Sequence, residues 1–448
     1  MMGPNFQKPE PEVMDGFRYD SIKNDSTLNL AWWDLIEDPV LDTLIAKALR
    51  NNKNALIAAS RIEEARSYWR ISKADMLPST SYQATAGRSN FEYVPNATSN
   101  YFSIAPVLNW EIDFWGKYRR ATEAAKAELI ANEYAREWIL TNLISDVAST
   151  YFTLLDFDNR LAISESTLKS RQVSLEIIAK RFEHGTVPEI DLNQAQIQLA
   201  IAQTAVPSYE RAVGITENTL SILIGENPRS IERGSLLYEQ FDTLNIPVGL
   251  PSELLLRRPD ILQAENRLKA QNARIGVAQA NRFPSFSLTG IAGLASLDLA
   301  DLASSDALIW SASAGITGPI FNFGKLKRRV EIEKYRTEQA RLQYEQTVQL
   351  AFADVEDALL GLRTYNREAN SRIFQMEAAR NANNLSRQRY DGGVTSYLEV
   401  LDSERSLFNA ELAASEAMRN KLSSYIFLYK ALGGGWMVSK PVENTEND

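Results

Sequence analysis

Two stretches of the chain, RFEHGTVPEIDLNQAQ (Arg181 to Gln196) and RYDGGVTSYLEVLDSE (Arg389 to Glu404), align residue by residue. Gly185 falls on Gly393, 208 positions later (393 − 185 = 208). DFWGKYRR (Asp113 to Arg120) and FNFGKLKR (Phe321 to Arg328) put Gly116 on Gly324 at the same distance. LPSTSYQATAG (Leu77 to Gly87) and FPSFSLTGIAG (Phe283 to Gly293) match through Pro78 and Pro284, 206 apart. Three matches in one order at nearly one offset describe two copies of a unit of roughly 200 residues, and any fold must be built twice.

Each copy follows one plan. A first helix is predicted from about Asp38 to Met76, and again from about Pro251 to Arg282, each ended by its proline because the residue before a proline disfavours helix. Two strand-like segments follow: about Ser79 to Tyr93 and Tyr101 to Trp115, then about Ser285 to Leu297 and Ala307 to Phe323. Polar loops, VPNATSN and DLADLASSD, join them. Gly116 and Gly324 end the strands.

Very long helices come next. In the first, Leu140, Val147, Leu154, Leu161, Leu168, Leu175 and Phe182 recur every seven residues. A strict heptad drifts against an ideal helix and demands a supercoiled partner. From about Tyr118 to Glu183 such a helix spans roughly 100 Å at about 1.5 Å per residue. Val348, Val355, Leu362, Ala369 and Met376 keep the spacing in the second copy. The returning helices carry interrupted seams, Leu192 to Leu223 and Leu398 to Tyr429, that suit an array in which each helix has two neighbours. Pro207 lies inside the first of these, so a kink or break is expected near Thr204 to Pro207.

Composition narrows the chemistry. The chain has 448 residues, a net charge of −9, one histidine (His184) and no cysteine. Nucleic acid is excluded as a partner, because phosphate binding needs a basic surface. Thiol nucleophiles, disulfides and Cys- or multi-His metal sites are excluded with it, and neither enzyme activity, metal nor cofactor is expected. His184 reads as an exposed polar residue of a turn. No run of about 18 apolar residues offers a transmembrane helix. The N-terminal MMGPNFQKPEPEVMDGF reads as an extended arm, compatible with a trimmed terminus.

The strands remain to be explained. Each is predicted at about 13 to 15 residues, more than the roughly 9 to 11 needed to cross a bilayer at a tilt. Four strands cannot close a barrel, and lipid tolerates no open edge, so membrane strands would have to be pooled among chains. A soluble four-stranded sheet is the other reading that periodicity leaves open.

LAWWDLIEDPVLDTLIAKAL (Leu30 to Leu49), the paired LPS/FPS and GK junctions and the two R[FY]xxG turns resemble the TolC-like outer-membrane factors of tripartite efflux systems, closest to those serving resistance-nodulation-division drug pumps. The resemblance runs from Met2 to about Val438. It implies a mainly α fold with a membrane β-barrel. In that arrangement a homotrimer shares one 12-stranded β-barrel, four strands per chain, continued by an α-helical barrel of coiled-coil hairpins. The implied organisation is an N-terminal arm and equatorial segment (1–37), helix (38–76), membrane strands (77–116) and periplasmic hairpin (117–228). An inter-repeat equatorial insert follows (229–250), then the second helix (251–282), strands (283–324), hairpin (325–432) and an equatorial tail (433–448). Many members carry lipid on an N-terminal cysteine, which this sequence does not contain.

The resemblance also implies a function: a passive exit duct in the outer membrane of a Gram-negative bacterium, mostly periplasmic. Its partners would be outer-membrane lipid, a periplasmic membrane-fusion adaptor and an inner-membrane resistance-nodulation-division transporter. A type I secretion or metal-efflux channel is the alternative, and a soluble coiled-coil scaffold a third. By the match, the hairpin tips Gly185, Thr186, Val187 and Gly392, Gly393, Val394, Thr395, Ser396 meet the adaptor. Asp191, Tyr390, Leu398, Glu399 and Asp402 fall where the family narrows its pore, with a Tyr390–Asp191 hydrogen bond as a latch. Glu399 and Asp402 share one helix face, and three copies would stack two carboxylate rings that favour cations. As solvated acids at a helix start they would also suit the helix dipole. Gly392 and Gly393 are both expected to reverse the chain with positive φ. Trp110, Trp115, Phe321 and Phe323 are interfacial aromatics or core packing. The basic groups at Lys117, Arg119, Arg120, Lys325, Lys327, Arg328 and Arg329 form a band at the barrel rim or simply solvate a helix start.

Overall fold

The computed structural model describes residues 1–11, 16–19, 38–89, 98–240 and 255–434. Most of the N-terminal arm, the first strand loop, the second half of the inter-repeat insert, the start of the helix expected from Pro251, and nearly all of the tail lie outside the described residues.

The elements occur twice. The first copy is α1 (Pro39–Asn51), α2 (Lys53–Ala74), β1 (Ser79–Ser89), β2 (Ser99–Ile112), α3 (Lys117–Glu183) and α4 (Glu189–Leu223). The second is α5 (Pro259–Ala280), β3 (Ser285–Ser296), β4 (Leu308–Thr317), α6 (Lys325–Asp391) and α7 (Tyr397–Ala431). The long helices α3 and α6 are each 67 residues, and α4 and α7 each 35. Left-handed glycines repeat with them: Gly116 and Gly324, Gly185 and Gly393, Gly225 and Gly433 all have positive φ.

Three expectations are corrected. The first helix is two helices, because Asn52 leaves the helical conformation and its Oδ1 accepts from the backbone N–H groups of Asn54 and Ala55. The last strand stops at Thr317, six residues early, where Gly318 and Pro319 follow. α4 does not break, since its helix continues from Glu189 through Pro207 to Leu223.

The chain forms two compact units. The first holds the sheet, in order β1-β2-β3-β4 and antiparallel throughout. Among the described residues both of its edges are open, and every residue of β4 is exposed. Its helical segments lie side by side in the order α2, α3, α5, α6: Thr122 donates to the Ser72 carbonyl, Arg274 pairs with Glu128 at 3.3 Å, and Gln271 donates to Glu333. One cavity of about 900 Å³ is lined by all four, so the array is concave on one face. Residues Met1 to Pro11 belong to this unit. The Met2 N–H donates to Trp115 O, and Lys8 pairs with Glu265 at 2.7 Å.

The second unit holds the main apolar core. Leu41, Ile45, Val147, Tyr151, Leu154, Leu220 and Leu422 are almost wholly buried there. The heptad is deepest over its first three members, Leu140, Val147 and Leu154, whereas Leu161 at its centre is half-buried and Phe182, its last member, is 38% exposed. Buried Asp38 caps α1 and accepts from the Tyr151 hydroxyl and the Gln240 amide, each at 3.0 Å.

Candidate functional site: the helical tips

Both hairpin tips fall in the second unit and are built alike. At the first, Gly185 N–H donates to Phe182 O and Thr186 N–H to Arg181 O. At the second, Gly393 N–H donates to Tyr390 O and Val394 N–H to Arg389 O. This double bond pattern closes a helix through one left-handed residue, and glycine takes that conformation without a Cβ clash. Only Gly393 is left-handed, at φ +73°; Gly392 is not among the positive-φ residues, which corrects the expectation for both. His184 is exposed, and its ring nitrogen lies 2.8 Å from the Lys180 carbonyl oxygen.

The returning helices begin at Pro188 and Ser396, neither of which caps with its side chain. Glu189, Asp191 and Glu399 sit in the first turns, where the helix dipole favours negative charge. The acids of the second tip are paired on their own chain. Glu399 accepts from Thr395 and, at 3.4 Å, from Ser386, and lies 3.5 Å from Arg389. Asp402 takes Arg405 at 2.6 Å. Asp191 has no side-chain partner of this kind among the described residues, and partial burial raises its carboxyl above the ordinary aspartate value.

The Tyr390 hydroxyl is buried and has no hydrogen-bond partner among the described residues, so the Tyr390–Asp191 bond is not formed within the chain. The ring packs 5.5 Å from that of Tyr397 and lies 4.9 Å from the Arg181 guanidinium. Leu398 is 60% exposed and Val394 71%, so neither belongs to the seam. Beneath the turns Ile178, Ala195, Tyr397, Val400 and Leu401 form a small cluster, with Tyr390, Val187 and Leu192 against it. Tyr397 and the arginines Arg181, Arg387 and Arg389 were not singled out by sequence. Two of them stand at the same place in the repeat, Arg181 and Arg389, and that signal was available.

At the strand ends the two copies differ. Trp110 Nε1 donates to Met76 O, and Trp115 Nε1 to Pro284 O, with its ring stacked 4.6 Å from Phe283. Phe321 and Phe323 are 76% and 90% exposed. Of the basic group, Arg120 is buried and holds the Met2 carbonyl at 3.0 Å and Asn5 Oδ1 at 2.8 Å, an anchor for the N-terminal segment rather than a rim charge. Lys117 and Arg119 pair with Glu111 and Asp113, and Arg328 with Glu331.

One sheet with two strands from each copy, two very long helices and two matched glycine tips, one of each per copy, define the class: a subunit of a helical channel that carries a membrane sheet. The chain belongs to the outer membrane efflux protein family, whose model matches residues 44–226 and again 250–434. Those two stretches are the two copies. The chain is 36% identical over 414 residues to the solvent efflux pump outer membrane protein SrpC of Pseudomonas putida, covering 91% of this chain and 88% of that one. It is 31% identical to the cation efflux system protein CusC of Escherichia coli K12, covering 97% and 96%. The solved structure of the CmeC outer membrane channel of Campylobacter jejuni superposes with a TM-score of 0.91 at 27% identity, covering 98% and 96%. The protein is thus an outer-membrane efflux channel of a Gram-negative bacterium, a passive exit duct whose helical portions are periplasmic.

Proposed function

We propose that three copies of this chain close one duct, that its helical tips form the gate, and that an adaptor and an inner-membrane pump open it. The observation that carries this is the sheet with two open edges. In an outer-membrane protein such edges would strand backbone N–H and C=O groups in lipid. Pairing β4 of one copy with β1 of the next removes every edge and gives a barrel of three times four strands. A chain of 50.3 kDa should then run in detergent at three times its mass. A monomeric mass in a preparation that still conducts in planar bilayers would overturn the trimer.

Within that duct Glu399 and Asp402 form the narrow rings, Leu398 lines the pore, and Asp191 and Tyr390 stand beside it. The turn residues Gly185, Thr186, Val187, Gly392, Gly393, Val394, Thr395 and Ser396 meet the adaptor. Pairing of Glu399 and Asp402 with Arg389 and Arg405 tempers their charge, so cation preference is moderate. Replacing both acids by Ala raises single-channel conductance and lowers cation preference; unchanged conductance and selectivity would remove them from the gate. Since no Tyr390–Asp191 bond exists in the chain, Tyr390 acts through packing in this reading. Tyr390→Phe then leaves conductance unaltered, while Tyr390→Ala raises it.

The energy comes from the pump, and the duct does no chemistry. Small organic solutes or drugs are the cargo in the main reading, in line with the solvent-efflux relative; metal efflux is the alternative, in line with the cation-efflux relative. Trp110, Trp115, Phe321 and Phe323 lie at the rim of the barrel.

A further inference from the structure

The duplication gives the sheet one junction between repeat copies inside the chain, and leaves the two halves of the same junction unmatched at its outer edges. The offsets that relate the copies hold in the strand pairing. They carry the β1–β2 pair Ser79↔Asn109 onto Ser285↔Thr317 (79 + 206 = 285; 109 + 208 = 317), which is the pair found between β3 and β4. At the internal junction β2 pairs with β3, with Asn109 opposite Thr289. Beyond the end of β2, Trp115 stacks on Phe283 at 4.6 Å and its Nε1 donates to the Pro284 carbonyl, while the Phe114 ring lies 5.3 Å from Phe286. The segment that leaves β2 thus docks on the proline turn that enters β3.

The segment that leaves β4 stands exposed instead. Phe323 answers to Trp115 (115 + 208 = 323), and it is largely exposed together with Ile320 and Phe321. Its ring touches Phe321 at 4.4 Å. Phe323 is also the one residue other than glycine with positive φ among the described residues, at +50°. A bulky side chain is strained there, and burial of the ring against a partner offsets such a cost. The turn that enters β1 is exposed too: Leu77 and Pro78 answer to Phe283 and Pro284 (283 − 206 = 77; 284 − 206 = 78). One edge carries the aromatic segment without its turn, and the other carries the turn without its segment. The second contact is matched as well, since Phe114 with Phe286 becomes Asn322 with Thr80, a polar pair in place of an apolar one.

Resting on the reading that several subunits close one duct, we propose that Phe323, braced by Phe321, docks on Leu77 and Pro78 of the neighbouring subunit and thereby sets the register of the β4–β1 seam. The offsets put Thr317 opposite Gln83 and Ile316 opposite Ala84 of the neighbour (109 + 208 = 317; 289 − 206 = 83). Within the chain Ile316 lies opposite Phe286 and Ala84 opposite Ile104, so the seam joins apolar face to apolar face. A one-residue slip would turn every side chain to the wrong face. A two-residue slip keeps the faces, and it is the docked segment that forbids it, because the ring would then miss its turn by about 7 Å.

The chain contains no cysteine, so introduced pairs report the seam directly. β1 and β4 of one chain stand about 14 Å apart across two intervening strands, too far for a disulfide, so any bond between them joins two subunits. The full-length channel carrying Thr317→Cys with Gln83→Cys, oxidised in detergent, should give reductant-sensitive dimers and trimers on a denaturing gel. The slipped pair, Thr317→Cys with Thr85→Cys, should give little. Adding Phe321→Ala and Phe323→Ala should shift cross-linking several-fold towards the slipped pair. Phe323→Trp with Leu77→Phe, which copies the internal Trp115–Phe283 contact, should raise the temperature at which the oligomer falls to monomers. If the alanine variants fail to assemble, the two cysteine pairs in the parent and the Trp–Phe exchange decide. A dominant slipped pair in the parent, a ratio unmoved by the alanines, or an exchange that lowers the dissociation temperature overturns the proposal. So does labelling of Phe323→Cys by a bilayer-embedded maleimide in the assembled channel, which would give the segment to lipid. In each of those cases an oligomeric mass leaves the shared duct standing; a monomer that still conducts would instead sink the duct reading itself.

Discussion

The two copies solve one joint in two ways. In the first, Asn52 leaves the helix between α1 and α2, and its amide donates to Leu223 O at the end of α4, at 2.9 Å. In the second, Arg258 stands just before α5 and donates to Ala431 O at the end of α7, also at 2.9 Å. Leu223 and Ala431 are 208 positions apart, and Asn52 and Arg258 are 206, the offset of the prolines that end the helices. Beyond the joints, Gly225 and Gly433 lie so close that an added Cβ would meet Asn51 or Arg258. A short side chain at the first joint also caps a helix. A long one at the second reaches further: Arg258 is 1% exposed, binds Asp354 at 2.9 Å and lies 5.2 Å from the Trp138 ring. Duplication preserves the carbonyl that must be satisfied and leaves free the side chain that satisfies it.

The comparison can be broken at its stronger joint first. Arg258→Ala removes a buried guanidinium and leaves two carbonyl oxygens unpaired, with the partly exposed Asp354 carboxylate turning to water, a loss of about 2–4 kcal/mol. Asn52→Ala removes a cap and one cross-helix bond, about 1–2 kcal/mol. Thermal melts of the detergent-solubilised channel should rank them in that order, and equal shifts would mean that the joints are energetically alike.

A smaller difference is expected at the strand-to-helix turns. Gly116 and Gly324 have φ near +80°, so alanine at either costs about 1 kcal/mol of backbone strain. At Gly116 the new methyl also meets Met1, whereas at Gly324 nothing lies within 4 Å. Gly116→Ala should therefore release the N-terminal segment to limited proteolysis, and Gly324→Ala should not. Protection of both variants would show that Met1 gives way without cost.

The smallest effect concerns the tips. Burial raises the Asp191 carboxyl pKa, so the folded chain takes up its proton more readily than the unfolded one. Folding is then favoured as pH falls through the range between the unfolded and folded values, and the charged form costs stability above it. Asp191→Asn should compare more favourably with the parent at pH 7 than at pH 3 in melting temperature. A difference independent of pH would place Asp191 in open water.

Much of this is legible in the sequence. The repeat offset located two of the three pairs of left-handed glycines, Gly116 with Gly324 and Gly185 with Gly393, and the proline stops located the first strand of each copy. The heptad gave the length of α3 to within a residue. The proline at 207 does not break its helix, because a long helix packed along its length can absorb one missing backbone bond. The site was legible as a place and less so as a mechanism. The tips and their acids follow from the motif match, but the pairing of Glu399 and Asp402 with arginines does not. Nor does the unbonded Tyr390 hydroxyl.

By itself, the sequence determined what depends on neighbours along the chain: where helices stop, which residues must be glycine, and that everything happens twice. Only the tertiary structure decided which charges are buried and what holds them. Arg387 donates to the buried Glu404, 17 residues away on the opposite side of a turn, and to Ser170, 217 residues before it. No periodicity encodes such a set, because burial is a property of the helices that surround a residue and not of the residues that precede it.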